Sequence, residues 1–359
     1  MNTTKFHIIP VLLACLGLST ALSGAAPLVA TVPQGYLTLN IAATNGSQTT
    51  TTYISLPLLN APAYSAAITA MTTNSLSVSG TPWTAGQFAA AGAPYFVKMC
   101  SGQQVGRYLL VTANTTNTLT LDVTDNSSQT TGLDATGFAV QVGDSFQVIP
   151  GDTLASLLGD GSVGNPLQLV GGTSAFAADA VSMYSSTLQR SFSYYFNTTR
   201  NAWNSTTASS TTSQNDLVIY PNMALGILSR PNRPARSLAI TGYVPDAAPL
   251  TKTVGGSANV IYSFTRFPVD IPLSTLAISN WTKSNSGFTA DAISVWDQPL
   301  ARWDNYYQIT NNQWRKSGDT VTDQSSLVIP AGTGIQIIKR TPVTGANSFL
   351  SVTMPYTLN

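Results

Sequence analysis

The chain is predicted to be all-β, and three observations carry the prediction. Only 9% of its 359 residues are charged, against roughly 25% in ordinary soluble proteins. All 15 acidic residues are Asp, Glu is absent and Lys occurs six times. Solvent-facing helices favour Glu and Lys, whereas Thr, Val, Ile and Tyr suit a pleated surface. Short runs alternating apolar and polar recur between Gly, Asn and Pro, which is the period of half-buried strands. The later part of the chain is also written twice. Ala178-Asp179-Ala180-Val181-Ser182-Met183-Tyr184, then Tyr194-Tyr195 and Trp203, reappears as Ala290-Asp291-Ala292-Ile293-Ser294-Val295-Trp296, then Tyr306-Tyr307 and Trp314. The offsets are 112, 112 and 111 residues. Units of about 110 residues far exceed solenoid repeats and suggest duplicated half-domains packed together.

This length leaves room for about two domains. An antiparallel N-terminal β domain is expected over 26–158, with a Gly-rich linker over 159–177. A C-terminal β domain over 178–359 follows, built from two related half-units starting near 178 and 290. Residues 1–25 read as a signal peptide: Lys5 precedes an apolar run from Ile8 to Leu18, and Ser23-Gly24-Ala25 offers a cleavage site. Ala21-Leu22-Ser23 is a second choice. Leu12-Leu13-Ala14-Cys15 loosely resembles a lipoprotein box, although Leu13 fits it poorly. No later run approaches the ~18 apolar residues of a membrane helix, so no transmembrane segment is expected after cleavage.

In chain order, Gly35 to Ile41 alternates as a strand, Asn45-Gly46 marks a turn, and Thr52 to Leu59 is the expected partner strand. Pro57 and Pro62 put its far end at an edge or bend. Ser75 to Val78 is a short strand, and Gly86 to Pro94 a loop or loose helical turn. Tyr95 to Val123 reads as strand, turn, strand, turn, strand, an antiparallel meander. Phe138 to Ile149 adds a pair around Gly143-Asp144. Asp152 or Thr153 caps a short helix, Leu154 to Leu158, stopped by Gly159. In each later copy the Ala-Asp-Ala strand leads to a Tyr-Tyr strand, then an Asn-rich turn and a Trp; Asn197 to Asn201 and Thr310 to Asn312 sit where hairpin turns belong. Ser237 to Gly242 and Val260 to Val269 read as strands between the copies. Leu56-Pro57 and Phe267-Pro268 begin similar pieces, a hint of a third related unit.

Cleavage would remove Lys5, Cys15 and His7, the one histidine, leaving 15 basic and 15 acidic residues. A neutral chain speaks against nucleic acid or an anionic membrane as main partner. Without histidine, Ser-His-Asp and Cys-His relays and the usual zinc sites are excluded. Cys100 has no internal partner and reads as a small buried hydrophobe, or as an exposed thiol pairing with a second chain. A glycosidase would need two Asp, such as Asp291 with Asp297 or Asp179 with Asp291. Asp179 and Asp291 recur at matched places, as expected of carboxylates satisfied by backbone amides that hold strands together. Asp122 to Asn126 and Asp160-Gly161 carry oxygens in turns, yet neither forms a complete calcium loop. No metal and no cofactor are therefore expected. Arg230 to Arg236, the one dense positive stretch, reads as a stiff loop between the halves.

Aromatics carry the best binding signal. Trp296, Trp303, Tyr306, Tyr307 and Trp314 fall within 19 residues, and flat apolar rings beside Asn and Asp are what a sugar-binding face needs. Trp203 and Trp314 read as core anchors. Trp303 has no Trp counterpart in the first copy and is the candidate for an exposed contact. Six Asn-X-Ser/Thr sequons lie beyond the signal, at Asn45, Asn114, Asn126, Asn197, Asn204 and Asn280.

The pattern Tyr95-Phe96-Val97-Lys98, Gly106-Arg107-Tyr108, Thr112 to Thr115, Gly143 to Phe146, Thr153-Leu154 and the Ala-Asp-Ala-Val block with its Trp resembles an uncharacterised family of secreted proteins found as paralogous sets in Verrucomicrobia. The resemblance covers most of the mature chain. It implies a bacterial exported protein without glycans at the sequons, and brings no activity, cofactor or functional residue. The functional expectation is a non-enzymatic exported protein, extracellular, at the cell surface or periplasmic, structural or adhesive, whose partners are itself, other envelope components or a polysaccharide. The alternative is a carbohydrate-binding module using Trp296, Trp303, Tyr306 and Tyr307; an Asp-dependent glycan-degrading enzyme ranks third.

Overall fold

The first two strands, β1 (Gln34–Ile41) and β2 (Thr50–Ile54), do not pair with each other. The computed structural model describes residues 34–124, 131–159, 168–185, 188, 190–207, 212–221, 223–246, 250–253, 259–264, 267–340, 348–352 and 354–356, nearly all strand or loop. Next come β3 (Tyr64–Ala67), β4 (Ala70–Met71), β5 (Ser75–Ser77), β6 (Tyr95–Met99), β7 (Tyr108–Asn114), β8 (Thr118–Asp122) and β9 (Ser145–Pro150). β10 (Asp152–Thr153) runs into the helix α1 (Leu154–Leu158). Then follow β11 (Ala180–Ser185), β12 (Arg190–Asn197), β13 (Ala202–Ser205), β14 (Val218–Ile219), β15 (Leu225–Ser229) and β16 (Arg236–Tyr243). The last group is β17 (Leu250–Thr253), β18 (Asn259–Phe264), β19 (Ile271–Pro272), a 3-10 turn (Leu273–Thr275), β20 (Leu276–Ser279), β21 (Ala292–Asp297), β22 (Arg302–Gln308), β23 (Trp314–Lys316), β24 (Val328–Ile329), β25 (Gly334–Lys339) and β26 (Ser348–Val352).

The all-β, antiparallel expectation holds, but the pairing of the early strands is corrected. β1 lies along β16 from Gln34↔Tyr243 to Ile41↔Arg236, and β2 lies along β15, with Ile54 opposite Leu225. Burial drives this choice. Leu39, Ile41 and Ile54 share a core with Val181, Met183, Trp203, Leu225, Ile227 and Leu238, apolar area that a lone β1–β2 hairpin could not cover.

Two five-stranded sheets are laid out alike. One runs β13-β12-β11-β15-β2 and the other β23-β22-β21-β25-β18. Each is faced by a second layer, β1–β16 with β10–β14 in the first sandwich, and β17–β26–β20 with β19–β24 in the second. That connectivity is a jelly roll. The likeness reaches single hydrogen bonds. Leu154 N donates to Leu217 O at 3.0 Å as Leu273 N does to Leu327 O at 2.9 Å, and Gln214 N to Trp203 O as Gln324 N to Trp314 O, both 2.8 Å. Leu56-Pro57 and Phe267-Pro268 follow β2 and β18, so they belong to these two sandwiches and not to a third unit. Leu158, where the sequence closes its first domain, is buried in the core of the first sandwich.

Strands β3 to β9 form a separate seven-stranded sheet, β3-β9-β6-β7-β8-β5-β4, inserted between β2 and β10. The expected meander is β6, β7 and β8 in order. Phe138 to Ile149 supplies one strand, β9, instead of a pair. This sheet has its own core around Val97, Leu109, Leu119, Leu121, Phe146 and Val148. It meets the first sandwich through Leu59, Phe96, Tyr108 and Ile149, packed against Val218 and Tyr220. The α1 helix forms as expected. Thr153 Oγ1 accepts from Ser156 N, Ser156 Oγ accepts from Thr153 N, and Gly159 closes it at φ 89°, a conformation glycine adopts without strain.

Trp203 and Trp314 anchor the two cores at 2% and 1% exposure, but their indoles differ. Trp203 Nε1 donates to Gly159 O at 2.7 Å, while Trp314 Nε1 has no partner among the described residues. A Phe ring removes a satisfied donor in one case and a buried orphan in the other. Trp203→Phe is therefore expected to cost about 1 kcal/mol more than Trp314→Phe in urea unfolding; equal losses would mean that the Gly159 contact contributes nothing.

Candidate functional site

The matched aspartates are structural knots. Asp179 Oδ1 accepts from Arg230 N at 2.8 Å and Arg233 Nε at 3.2 Å. Its Oδ2 accepts from Val170 N at 3.0 Å and Arg236 Nη1 at 2.7 Å. Asp291 repeats this with Arg340 N and Thr282 N, both at 2.7 Å, and with Lys339 Nζ. Arg230 Nε and Arg340 Nε cap Ala178 O and Ala290 O at 2.8 and 3.0 Å. Each knot thus ties the loop before the Ala-Asp-Ala strand to the end of the neighbouring strand. The Arg230–Arg236 stretch is corrected accordingly. Arg236 is 7% exposed, opens β16 and turns onto Asp179, so it is part of the first sandwich and not a spacer between halves.

Burial alone would raise the Asp179 carboxyl, but the Arg230 and Val170 amides and the Arg236 guanidinium outweigh it and hold it below the ordinary carboxylate range. A lowered folded-state pKa stabilises the fold above the unfolded value of about 3.9, and that stabilisation is lost as pH falls through the folded one. Unfolding free energy is expected to drop below about pH 4, with a shallower drop in Asp179→Asn. Parallel curves for the two proteins would show that Asp179 is not the titrating group.

The other acidic candidates are locally engaged. Asp297 Oδ1 accepts from Leu300 N at 3.0 Å in the β21–β22 turn. Asp122 Oδ1 accepts from Thr124 N and its Oδ2 from Tyr220 Oη. Asp125, Asn126, Asp160 and Gly161 lie outside the described residues. Among the described residues no group of three or more His, Cys, Asp or Glu is placed to hold a metal. Cys100 is half-buried, and burial raises its thiol pKa. Of the sequons, Asn114, Asn197 and Asn204 are buried.

The expected aromatic face divides. Tyr306 and Tyr307 are 6% and 2% exposed, which corrects their assignment to a binding surface. Adjacent strand residues point to opposite faces, and both faces of β22 are covered. Tyr306 enters the core with Ile293 and Trp314. Tyr307 packs with Ala290 and Ala292 beneath Gly287, where a Cβ would come within 2.8 Å of its ring. Trp296 and Trp303 are half-buried and face each other across β21 and β22. Their centroids are 5.3 Å apart, and Tyr53 of β2 meets them at 5.1 and 4.5 Å.

This three-ring cluster sits where the sandwiches join. Ser55 N donates to Gly332 O at 2.7 Å, and Ser55 Oγ to Thr333 O at 3.1 Å. Beside the junction is a cleft of about 410 Å³ lined by Asn40, Thr52, Tyr53, Arg236, Trp296 and Gln298 among others. Trp296 contributes to its wall, and Trp303 supports Trp296 and Tyr53 from the adjoining strand. Arg236 Nε and Trp296 Nε1 are buried donors without a partner among the described residues. Tyr53, Asn40 and Gln298 escaped the sequence; Tyr53 lies 243 positions before Trp296, and nothing local links them. Phe176 and Phe288, at the repeat offset and 88% and 90% exposed, were legible from the alignment of the copies.

No protein-family model, curated protein or solved structure matches the chain.

Proposed function

We propose that the chain is an exported, non-enzymatic surface protein with an adhesive role, which holds a neutral polysaccharide in the cleft between its two sandwiches. The observation that carries this is the Tyr53–Trp296–Trp303 cluster beside a cleft whose other linings include the amides of Asn40 and Gln298 and the hydroxyl of Thr52. Ring faces take the apolar side of a sugar, and amides and hydroxyls exchange hydrogen bonds with its oxygens. The orphan N–H groups of Arg236 and Trp296 add donors that a ligand oxygen could satisfy after a small side-chain shift. The balanced charge of the mature chain suits an uncharged glycan. The two sandwiches descend from one duplicated unit, split in its first copy by the inserted sheet; export follows from the N-terminal signal pattern.

In affinity electrophoresis through a panel of neutral polysaccharides, the intact protein is expected to be retarded by at least one. Trp296→Ala should weaken that retardation about tenfold, equivalent to 1.4 kcal/mol, and Trp303→Ala should weaken it less, since Trp303 acts through its neighbours. Retardation unchanged in Trp296→Ala, or absent for the intact protein on every glycan, would remove the proposal.

A further inference from the structure

The first sandwich opens at one end between its two sheets, where the inserted sheet meets it, into a second cleft of about 370 Å³. Met183 and Phe192, paired across β11 and β12, contribute from one sheet together with Tyr194. Val218, Tyr220 and Met223 contribute from β14 and the segment after it, and Leu110 of β7 comes from the inserted sheet. Its volume and predominantly apolar, aromatic lining are those of a small-molecule site.

The corresponding end of the second sandwich is chemically different. By the repeat offset, Phe192 is replaced by Asp304, which is paired with Arg302 at 3.2 Å and Lys316 at 2.5 Å. Tyr306 stands where Tyr194 does. Packing the shared core does not require an apolar mouth, since the second copy manages with ions. The apolar mouth is a property of the first copy alone.

Two observations define what would fit. Tyr194 is 9% exposed, burial raises its pKa and so keeps the phenol protonated, and its hydroxyl has no protein partner among the described residues. The hydroxyl oxygen itself is not sealed from solvent and lies on the cleft lining, so a guest's acceptor can take the place of the water it would otherwise meet. The charged groups at the rim oppose each other in sign. Asp216 is among the lining residues, and the Arg190 guanidinium lies 4.5 Å from the Phe192 ring centroid. Neither an anion nor a cation is favoured throughout, and burying either would be costly. Ring edges and the thioethers of Met183 and Met223 favour a flat aromatic guest over a branched aliphatic one.

We infer that this mouth binds a small, uncharged aromatic molecule carrying one hydrogen-bond acceptor, which takes the Tyr194 hydroxyl. Prodan, a neutral naphthalene ketone, is a suitable fluorescent probe. The intact protein should bind it saturably, one per chain, with blue-shifted emission. Leu110→Trp, which fills the cleft from the inserted sheet, and Phe192→Asp, which installs the second copy's residue, should each weaken binding at least tenfold. Tyr194→Phe should keep the cleft but weaken binding several-fold, while Trp296→Ala should leave it unchanged. Thermal midpoints near that of the parent would show that the variants are folded. Absence of saturable binding, parent-like affinity in a folded Leu110→Trp variant, or loss of binding in Trp296→Ala would each overturn the inference. The last result would place the probe in the inter-sandwich cleft.

Discussion

A buried carboxylate that accepts hydrogen bonds from the backbone of two separate segments organises each sandwich. Asp179 joins Val170, just before the Ala-Asp-Ala strand, to Arg230, just after β15, and Asp291 joins Thr282 to Arg340 in the same way. An unpaired carboxylate at such a depth would be prohibitive, and breaking a buried pair typically costs about 3–5 kcal/mol. Every partner must therefore be in place together, which fixes the loop, the neighbouring strand and the start of β16 in one step. The two copies solve the charge balance differently. Arg236 and Arg233 serve Asp179, and Lys339 serves Asp291.

The two copies share the knots and differ at other positions, and both proposed binding clefts are lined in part by residues that differ between the copies. Tyr184 and Ser191 of the first copy correspond to Trp296 and Trp303 of the second, which meet Tyr53 at the junction. Phe192 corresponds to Asp304, so that one mouth is apolar and the other ionic. The same framework thus offers a polar-aromatic cleft between the sandwiches and an apolar one at the end of the first.

Much of this was legible in the sequence. The absence of Glu and the alternation of short runs pointed to β structure, and the spacing of the Ala-Asp-Ala blocks placed β11 and β21 at matched positions. The capped helix at Thr153 and the asparagine turns were local patterns set by local physics; Asn201 and Asn312 adopt φ of 50° and 70°. Pairing was not legible. Alternation shows that β1 has a buried face but not that its partner begins at Arg236, about two hundred residues on. Nor does alternation separate Tyr306 from Tyr307 when both faces of a strand are covered. The cleft at Trp296 was hidden for the same reason: it exists only because the turn before β25 docks at Ser55, bringing Tyr53 beside the two tryptophans.

The most direct test of the inter-sandwich cleft as a ligand site is a crystal structure of the intact protein soaked with an oligosaccharide of a retained neutral polysaccharide. A sugar ring resting on Tyr53 or Trp296, with hydroxyls bonded to Asn40 or Gln298, is the expected result. A sugar bound elsewhere on the protein, with this cleft empty at saturating oligosaccharide, would contradict it.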